Sequence, residues 1–311
     1  MNTIEFMIVL IYGIVSSLFF LMKEKKCYST KKSLMFGVIS TIFAFVLGII
    51  TLNLTNNKFD LISSVVASFI NFYFSYNLAK GKIKIDVFIK SIVTVLLFLT
   101  SSLFRVIPIE IFDITDSMLT TKLNTYLTVF SDVGLLIVLL ILYYDDLKKG
   151  FIKAKDNFNE FFDTSFKIWM LGFLGMVISN LVIGLVFPSA TAGNENAVQS
   201  MIDLSPFVML VCAGIVAPIN EELAFRKAFY DVFKNKWVFI LVSGFIFGGL
   251  HVIFSYESLI DFVYVIPYSL LGMAFAYMVD KTDNILSSIM MHFIHNTAII
   301  GFSILVGMIL L

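Results

Sequence analysis

Seven polar side chains sit where an apolar chain has little reason to keep them. Glu221, Glu222 and Arg226 fall in the run IVAPINEELAFRKAFY, His251 in FGGLHVIF, and His292, His295 and Asn296 in MMHFIHN. Glu222 and Arg226 are four residues apart, on one face of a helix, and can pair as ions. Glu221 points about 100° away, so its partner must come from another element. His292 and Asn296 are also four apart and address one small site, which His295 either flanks or turns away from. A carboxylate and neutral imidazoles around a water are the minimum set for hydrolysis. The carboxylate takes a proton from the water, a histidine orients it, and donors such as an amide hold the oxyanion that develops. For Arg226 and Lys227 the plainer alternative is snorkelling to a membrane surface, and for His295 a packing role.

The elements that must hold these groups are membrane spans. Of 311 residues, 59% are hydrophobic and 14% charged, against about a quarter charged in a soluble domain. That excludes a cytosolic enzyme, a secreted domain and a disordered chain. Runs of about 20 apolar residues predict an all-α polytopic transmembrane bundle of about ten spans (8–10), with the catalytic pocket between the last helices. The spans are expected near 4–22, 34–54, 61–79, 87–104, 123–144, 160–187, 207–233, 237–254, 263–280 and 285–311. Glu5 ahead of the first, with no basic start and no small-residue cleavage site, reads as an uncleaved helix. An ionisable group at a helix centre costs about 2.5–3.5 kcal/mol, so three within one span call for a function. With about 1.5 Å of rise per residue, Glu221, His251, His292 and Asn296 lie roughly 18, 20, 10 and 16 Å from the same membrane face, close enough to share a layer. Gly248 and Gly249 allow close helix approach, and Pro218 opens the backbone ahead of Glu221; ordinary packing accounts for them as well.

The 22 basic and 22 acidic residues cancel, which leaves no excess positive charge for nucleic acid. Their distribution is more telling. Alternate loops carry fifteen Lys (Lys23, Lys25, Lys26, Lys31, Lys32, Lys80, Lys82, Lys84, Lys148, Lys149, Lys153, Lys155, Lys234, Lys236 and Lys281), while the other loops carry Lys58, Arg105 and Lys122. The bias places the first set in the cytoplasm and both termini outside, in what reads as a bacterial plasma membrane. Cys27 and Cys212 are too far apart in sequence for a CxxC site or a disulfide framework. The stretch 188–206 is the longest polar one. It separates bland early spans from the late spans with polar interiors.

Glu221-Glu222-x-x-x-Arg226, Phe247-x-x-x-His251 and His292-x-x-x-Asn296, in this order and on successive spans, resemble the CPBP family of intramembrane proteases (CAAX protease and bacteriocin-processing, or ABI, proteins), which includes the type II CAAX prenyl endopeptidase. The resemblance covers about 205–300. It divides the chain into N-terminal helices 1–157 and a protease-bearing part 158–311. It implies an endopeptidase acting on a membrane-associated peptide or protein, with Glu221 as the base, His251 as its partner on the water, and His292 and Asn296 on the carbonyl and oxyanion. Glu222 and Arg226 would position the base or contact substrate. Lys227 departs from the glycine that many relatives carry there. No HExxH helix is present, and Asn296 suits an oxyanion better than zinc, so a metal-free glutamate mechanism is expected. If Zn²⁺ were used, Glu221, His251 and His292, with His295, would supply the ligands. Membrane lipid and a peptide or membrane-protein substrate are the expected partners. A bacteriocin-immunity or scaffold protein on the same fold is the alternative, and a proton-coupled transporter a third reading disfavoured by the absence of repeated halves.

Overall fold

The computed structural model describes residues 9, 11–18, 21, 28–54 and 61–310. Glu5, Lys23, Lys25, Lys26, Cys27, Lys58 and, within the first expected span, residues 4–8, 10, 19, 20 and 22 lie outside the described residues. Among the described residues every regular element is helical. That is what a hydrocarbon solvent imposes, because only a helix or a closed barrel satisfies its own backbone groups. Among the described residues seven helices are long and apolar enough to cross a membrane, or eight if one bent pair counts as a single span. The chain is an integral membrane protein with slightly fewer demonstrable crossings than the ten expected.

In chain order the helices are α1 (Thr30–Leu54), α2 (Leu61–Ala79), α3 (Ile85–Leu99), α4 (Val106–Ile111), α5 (Thr121–Leu142), α6 (Tyr144–Asp156), α7 (Phe158–Val186) and α8 (Gly193–Leu204). They are followed by α9 (Pro206–Val232), α10 (Lys236–Ile253), α11 (Leu259–Thr282, opening with a 3₁₀ turn) and α12 (Ile285–Leu310). The span expected at 87–104 is not straight: Ile85–Leu99 and Ser101–Ile111 meet at 59°. Three consecutive hydroxyl residues, Thr100 to Ser102, stand at the break, and the Thr100 hydroxyl donates to the Leu96 carbonyl at 2.7 Å. Side-chain bonds of this kind compete with the helix ladder. Two segments expected as loops are helical instead: α6, an amphipathic helix too short and charged to span, and α8 within the polar stretch 188–206.

The chain packs as two compact units that divide between Ile89 and Lys90. In the first, helical residues 11–18, α1 and α2 share a buried hydroxyl knot. Ser17 Oγ lies 2.7 Å from Ser40 Oγ and 2.6 Å from Ser75 Oγ, and Ser75 donates to Asn71. Gly13 faces Asn71 so closely that a Cβ there would overlap the amide. Small residues and shared hydrogen bonds replace the hydrophobic drive that lipid does not supply between helices.

The second unit holds every candidate catalytic residue. Its core joins α5, α9, α10, α11 and α12 through Leu135, Leu139, Leu223, Phe239, Ala276 and Ile285. α10 lies against α11 at Gly248, where a Cβ would overlap Ser269 and come within 2.7 Å of the Val265 carbonyl; a Cβ on neighbouring Gly249 meets nothing within 4 Å. The lysine-rich ends are tied by ion pairs. Asp146 of α6 accepts from Lys90 at 2.8 Å and pairs with Lys227 at 3.1 Å, and Lys227 reaches Asp231 at 2.8 Å. Burial would push the Asp146 carboxyl up, but the bonds to Lys90 and Lys227 outweigh it and hold the group below its ordinary value. At the other end, Asp261 accepts the backbone N–H groups of Thr191, Glu257 and Ser258 at 2.7, 3.0 and 2.8 Å, which fixes the approach to α8.

Candidate active site

α9 is a helix with two π-turns, Cys212–Val216 and Leu223–Lys227, on either side of the α-helical turn Ala217–Glu222. Pro218 has no N–H to return to the preceding turn, so the ladder loosens ahead of it, as its place before Glu221 suggested. The carbonyl of Ala213, inside the first π-turn, accepts from Asn296 Nδ2 at 2.8 Å. The backbone irregularity and the amide of the third motif are thus joined directly.

Arg226 is fully buried. Its guanidinium lies 3.0 Å from Glu222 Oε1, donates to the Gly272 carbonyl at 3.3 Å, and sits over the rings of Phe247 and Phe275 at 4.2 and 5.4 Å. It therefore points inward and does not snorkel, and Glu222 is wholly buried beside it. The expected Glu222–Arg226 pair is present, with a further member. His292 Nδ1 is 2.8 Å from the same Glu222 oxygen. A carboxylate can only accept, so Nδ1 carries the proton and Nε2 faces the other way, toward Glu221 Oε2 at 3.8 Å, beyond hydrogen-bond range. His292 thereby stands between the two carboxylates. Glu221 keeps 18% of its side chain exposed, and its Oε2 has no hydrogen-bond partner among the described residues.

His251 Nδ1 lies 2.8 Å from the Phe247 carbonyl one turn back, so it too carries its proton on Nδ1 and leaves Nε2 as an acceptor. Glu221 and His292 are within electrostatic range of its ring. Phe247 is a common neighbour, 4.3 Å from the His251 ring, 5.7 Å from His292 and under Arg226. His295 is turned elsewhere, edge-on to Trp169 and Phe173 of α7 at 6.3 and 5.9 Å, with Nδ1 unpartnered among the described residues.

Three residues escaped the sequence reading. Tyr268 stacks on His251 at 4.7 Å and donates to Glu195 of α8 at 3.4 Å. Burial pushes the Glu195 carboxyl up, against the lowering bond from Tyr268. A tyrosine in a span carries no signal in sequence. Asp132 on α5 lies within range of the Glu221 charge, and its carbonyl accepts from buried Asn220 at 2.9 Å. Asp132 stands in the middle of TKLNTYLTVFSDVGLLIVLLIL, an ionisable group in an otherwise apolar span.

An intramembrane carboxylate with an unpartnered oxygen lies beside two imidazoles whose tautomers are set by their partners, a set able to activate a water. Residues 203–298 match the family model described as Type II CAAX prenyl endopeptidase Rce1-like. The resemblance drawn from the three motifs is thus found again over nearly the same stretch, residues 203–298. The chain is similar to UPF0177 protein YxdF of Lactococcus lactis, 26% identical over half of this chain and 86% of the relative, and to UPF0177 protein YbdI of the same species, 29% identical over 39% of this chain and 70% of the relative. It is also similar to a Bacillus subtilis protein named "Putative membrane peptidase YdiL", 30% identical over 34% of this chain and 41% of the relative. No solved structure matches the chain.

Proposed function

We infer that the protein is an intramembrane endopeptidase of the glutamate type, acting on a membrane-associated peptide or protein. The observation that carries this reading is His292 held between Glu222 and Glu221. One carboxylate, neutralised by Arg226, fixes the ring, while the other keeps an unpartnered oxygen for water. In the reaction Glu221 takes one proton from a water whose second hydrogen is accepted by His251 Nε2. The water oxygen adds to the scissile carbonyl carbon. His292, its ring fixed by Glu222, lies beside the scissile carbonyl, and the Asn296 N–H not used by Ala213 donates to the oxyanion. Collapse of the intermediate breaks the C–N bond as Glu221 returns its proton to the leaving amine.

Zinc would need three donors at one point. His251 and His292 offer suitable nitrogens, each with its other N–H held, as metal-ligating histidines have. Yet among the described residues no three His, Cys, Asp or Glu side chains are grouped to hold an ion, so no step is routed through one. Residues 158–311 carry the proposed protease core, at about 205–300, and residues 1–157 lie outside the family match. The lysine bias and the bacterial relatives support a bacterial plasma membrane with the lysine-rich ends cytoplasmic. The test compares membrane peptides and protein termini from cells carrying the wild-type protein or Glu221→Gln. New termini that vanish in the variant are expected. Identical termini with a retained phenotype would instead support an immunity or scaffold role.

A further inference from the structure

Between α6, the start of α7, α9 and α12 lies a cavity of about 460 Å³, within the range of ligand sites. Its walls include Phe151, Phe158, Ile219, Ile289 and Phe293, and its only charged lining residue is Lys155. Along α12 it runs from Leu286, one residue into the helix, to Phe293, roughly 10 Å at about 1.5 Å per residue. It is therefore apolar in depth and cationic at its mouth, at the lysine-rich end of the bundle. α6 supplies that mouth as an amphipathic helix, with Lys148, Phe151 and Lys155 on one stripe at spacings of three and four. Phe151 and Ile152 are 64% and 52% exposed, the profile of a helix lying in a membrane interface. Asp146 is taken by Lys90 and Lys227, and Lys153 by Asp283. Lys148 and Lys155 are exposed and make no ion pair among the described residues. Exposed Asp145, Asp156 and Glu160 lie near in sequence and offset part of this charge, so an anion must be engaged by the two lysines together.

We propose that this groove is a binding site for an acidic phospholipid, one acyl chain against Ile219, Ile289 and Phe293 and the phosphate between Lys148 and Lys155. A chain with an anionic head matches a slot that is apolar inside and doubly cationic at the interface. The lipid would pack against Ile219 and Ile289, each one helical turn before Glu222 and His292, and its binding does not depend on proteolysis.

The experiment places the full chain in nanodiscs with phosphatidylglycerol bearing a diazirine on one acyl chain, or with phosphatidylcholine labelled identically, and maps the photoadducts. Adducts are expected on the peptides spanning 151–161 and 286–293. At about 1 kcal/mol per interfacial lysine, phosphatidylglycerol should be favoured by up to about thirty-fold. Lys148→Gln with Lys155→Gln, both surface changes, should bring its labelling down to the phosphatidylcholine level. Ile289→Trp, with an unfolding midpoint like wild type, should remove both labels. Glu221→Gln should label like wild type, so failure of the protease reading leaves this result standing. Adducts spread evenly over the apolar helix faces, equal labelling by the two headgroups, or a groove unlabelled in the wild type because a peptide fills it, would each overturn the proposal.

Discussion

Replacing Arg226 with leucine is the sharpest test of how the site is held together. The side chain is wholly buried and has four contacts: Glu222 Oε1 at 3.0 Å, the Gly272 carbonyl at 3.3 Å, and the faces of Phe247 and Phe275. Removing one member of a buried ion pair costs about 3–5 kcal/mol, because the other charge stays behind unpaired. A desolvated cation–π contact is worth about 2 kcal/mol. The two overlap, since both require the cation in place, so Arg226→Leu should destabilise the fold by about 3–5 kcal/mol. In Glu222→Gln with Arg226→Leu no charge is stranded, and glutamine still accepts from His292 Nδ1. That double variant should cost at least about 2 kcal/mol less than the sum of the singles. Reversible unfolding in mixed micelles, followed by far-ultraviolet circular dichroism, measures all three. A single variant within about 1 kcal/mol of wild type, or strictly additive costs, would refute the buried Glu222–Arg226–His292 cluster.

Glu221→Gln should lower cleavage by at least about 10²-fold, as expected for loss of a general base, while leaving the unfolding midpoint nearly unchanged. Chelation should leave activity intact, with no stoichiometric metal in purified protein; rescue by Zn²⁺ after chelation would reverse the mechanistic assignment. Gly248→Ala should destabilise by about 1–3 kcal/mol through overpacking against Ser269 and Val265, whereas Gly249→Ala should be neutral or stabilising by about 1 kcal/mol, a contrast read by the same unfolding assay. The lowered Asp146 contributes stability that is fully present above its unfolded value of about 4 and is lost as pH falls through its lower folded value. Asp146→Asn should flatten the acid limb of the stability profile, and an unchanged limb would remove Asp146 as its source.

Two simple rules made much of this molecule legible in its sequence. Hydrocarbon thickness fixes apolar run length, so the helices from α5 to α12 that cross fall within a few residues of their expected places. The cost of burying ions makes Glu221, Glu222, Arg226 and His292 stand out against an apolar background. Neither rule reaches what depends on partners distant in sequence. Spacing paired Glu222 with Arg226 but could not show that His292, seventy positions on, bonds the same oxygen. The bend at Thr100 and the helicity of α6 and α8 depend on local hydrogen bonds and interfacial position, which hydropathy averages away. His295 shares a run with His292, yet three helical steps, a net turn of about 60°, deliver it to Trp169 and Phe173.

The three motifs are better understood as one object than as three contributions to a pocket. Phe247 touches Arg226, His251 and His292 together, and its carbonyl sets the His251 tautomer. Glu222 sets the His292 tautomer, and Arg226 keeps Glu222 charged and able to do so. Asn296 closes the backbone that the π-turn before Pro218 leaves open, which ties α12 to the helix bearing both glutamates. Of the residues proposed to touch substrate, His251, His292 and Asn296 are thus each oriented by a group that does not. A change at Phe247 or Arg226 should act on two histidines at once, so substitutions within this set should be strongly non-additive where those at separate sites would simply sum.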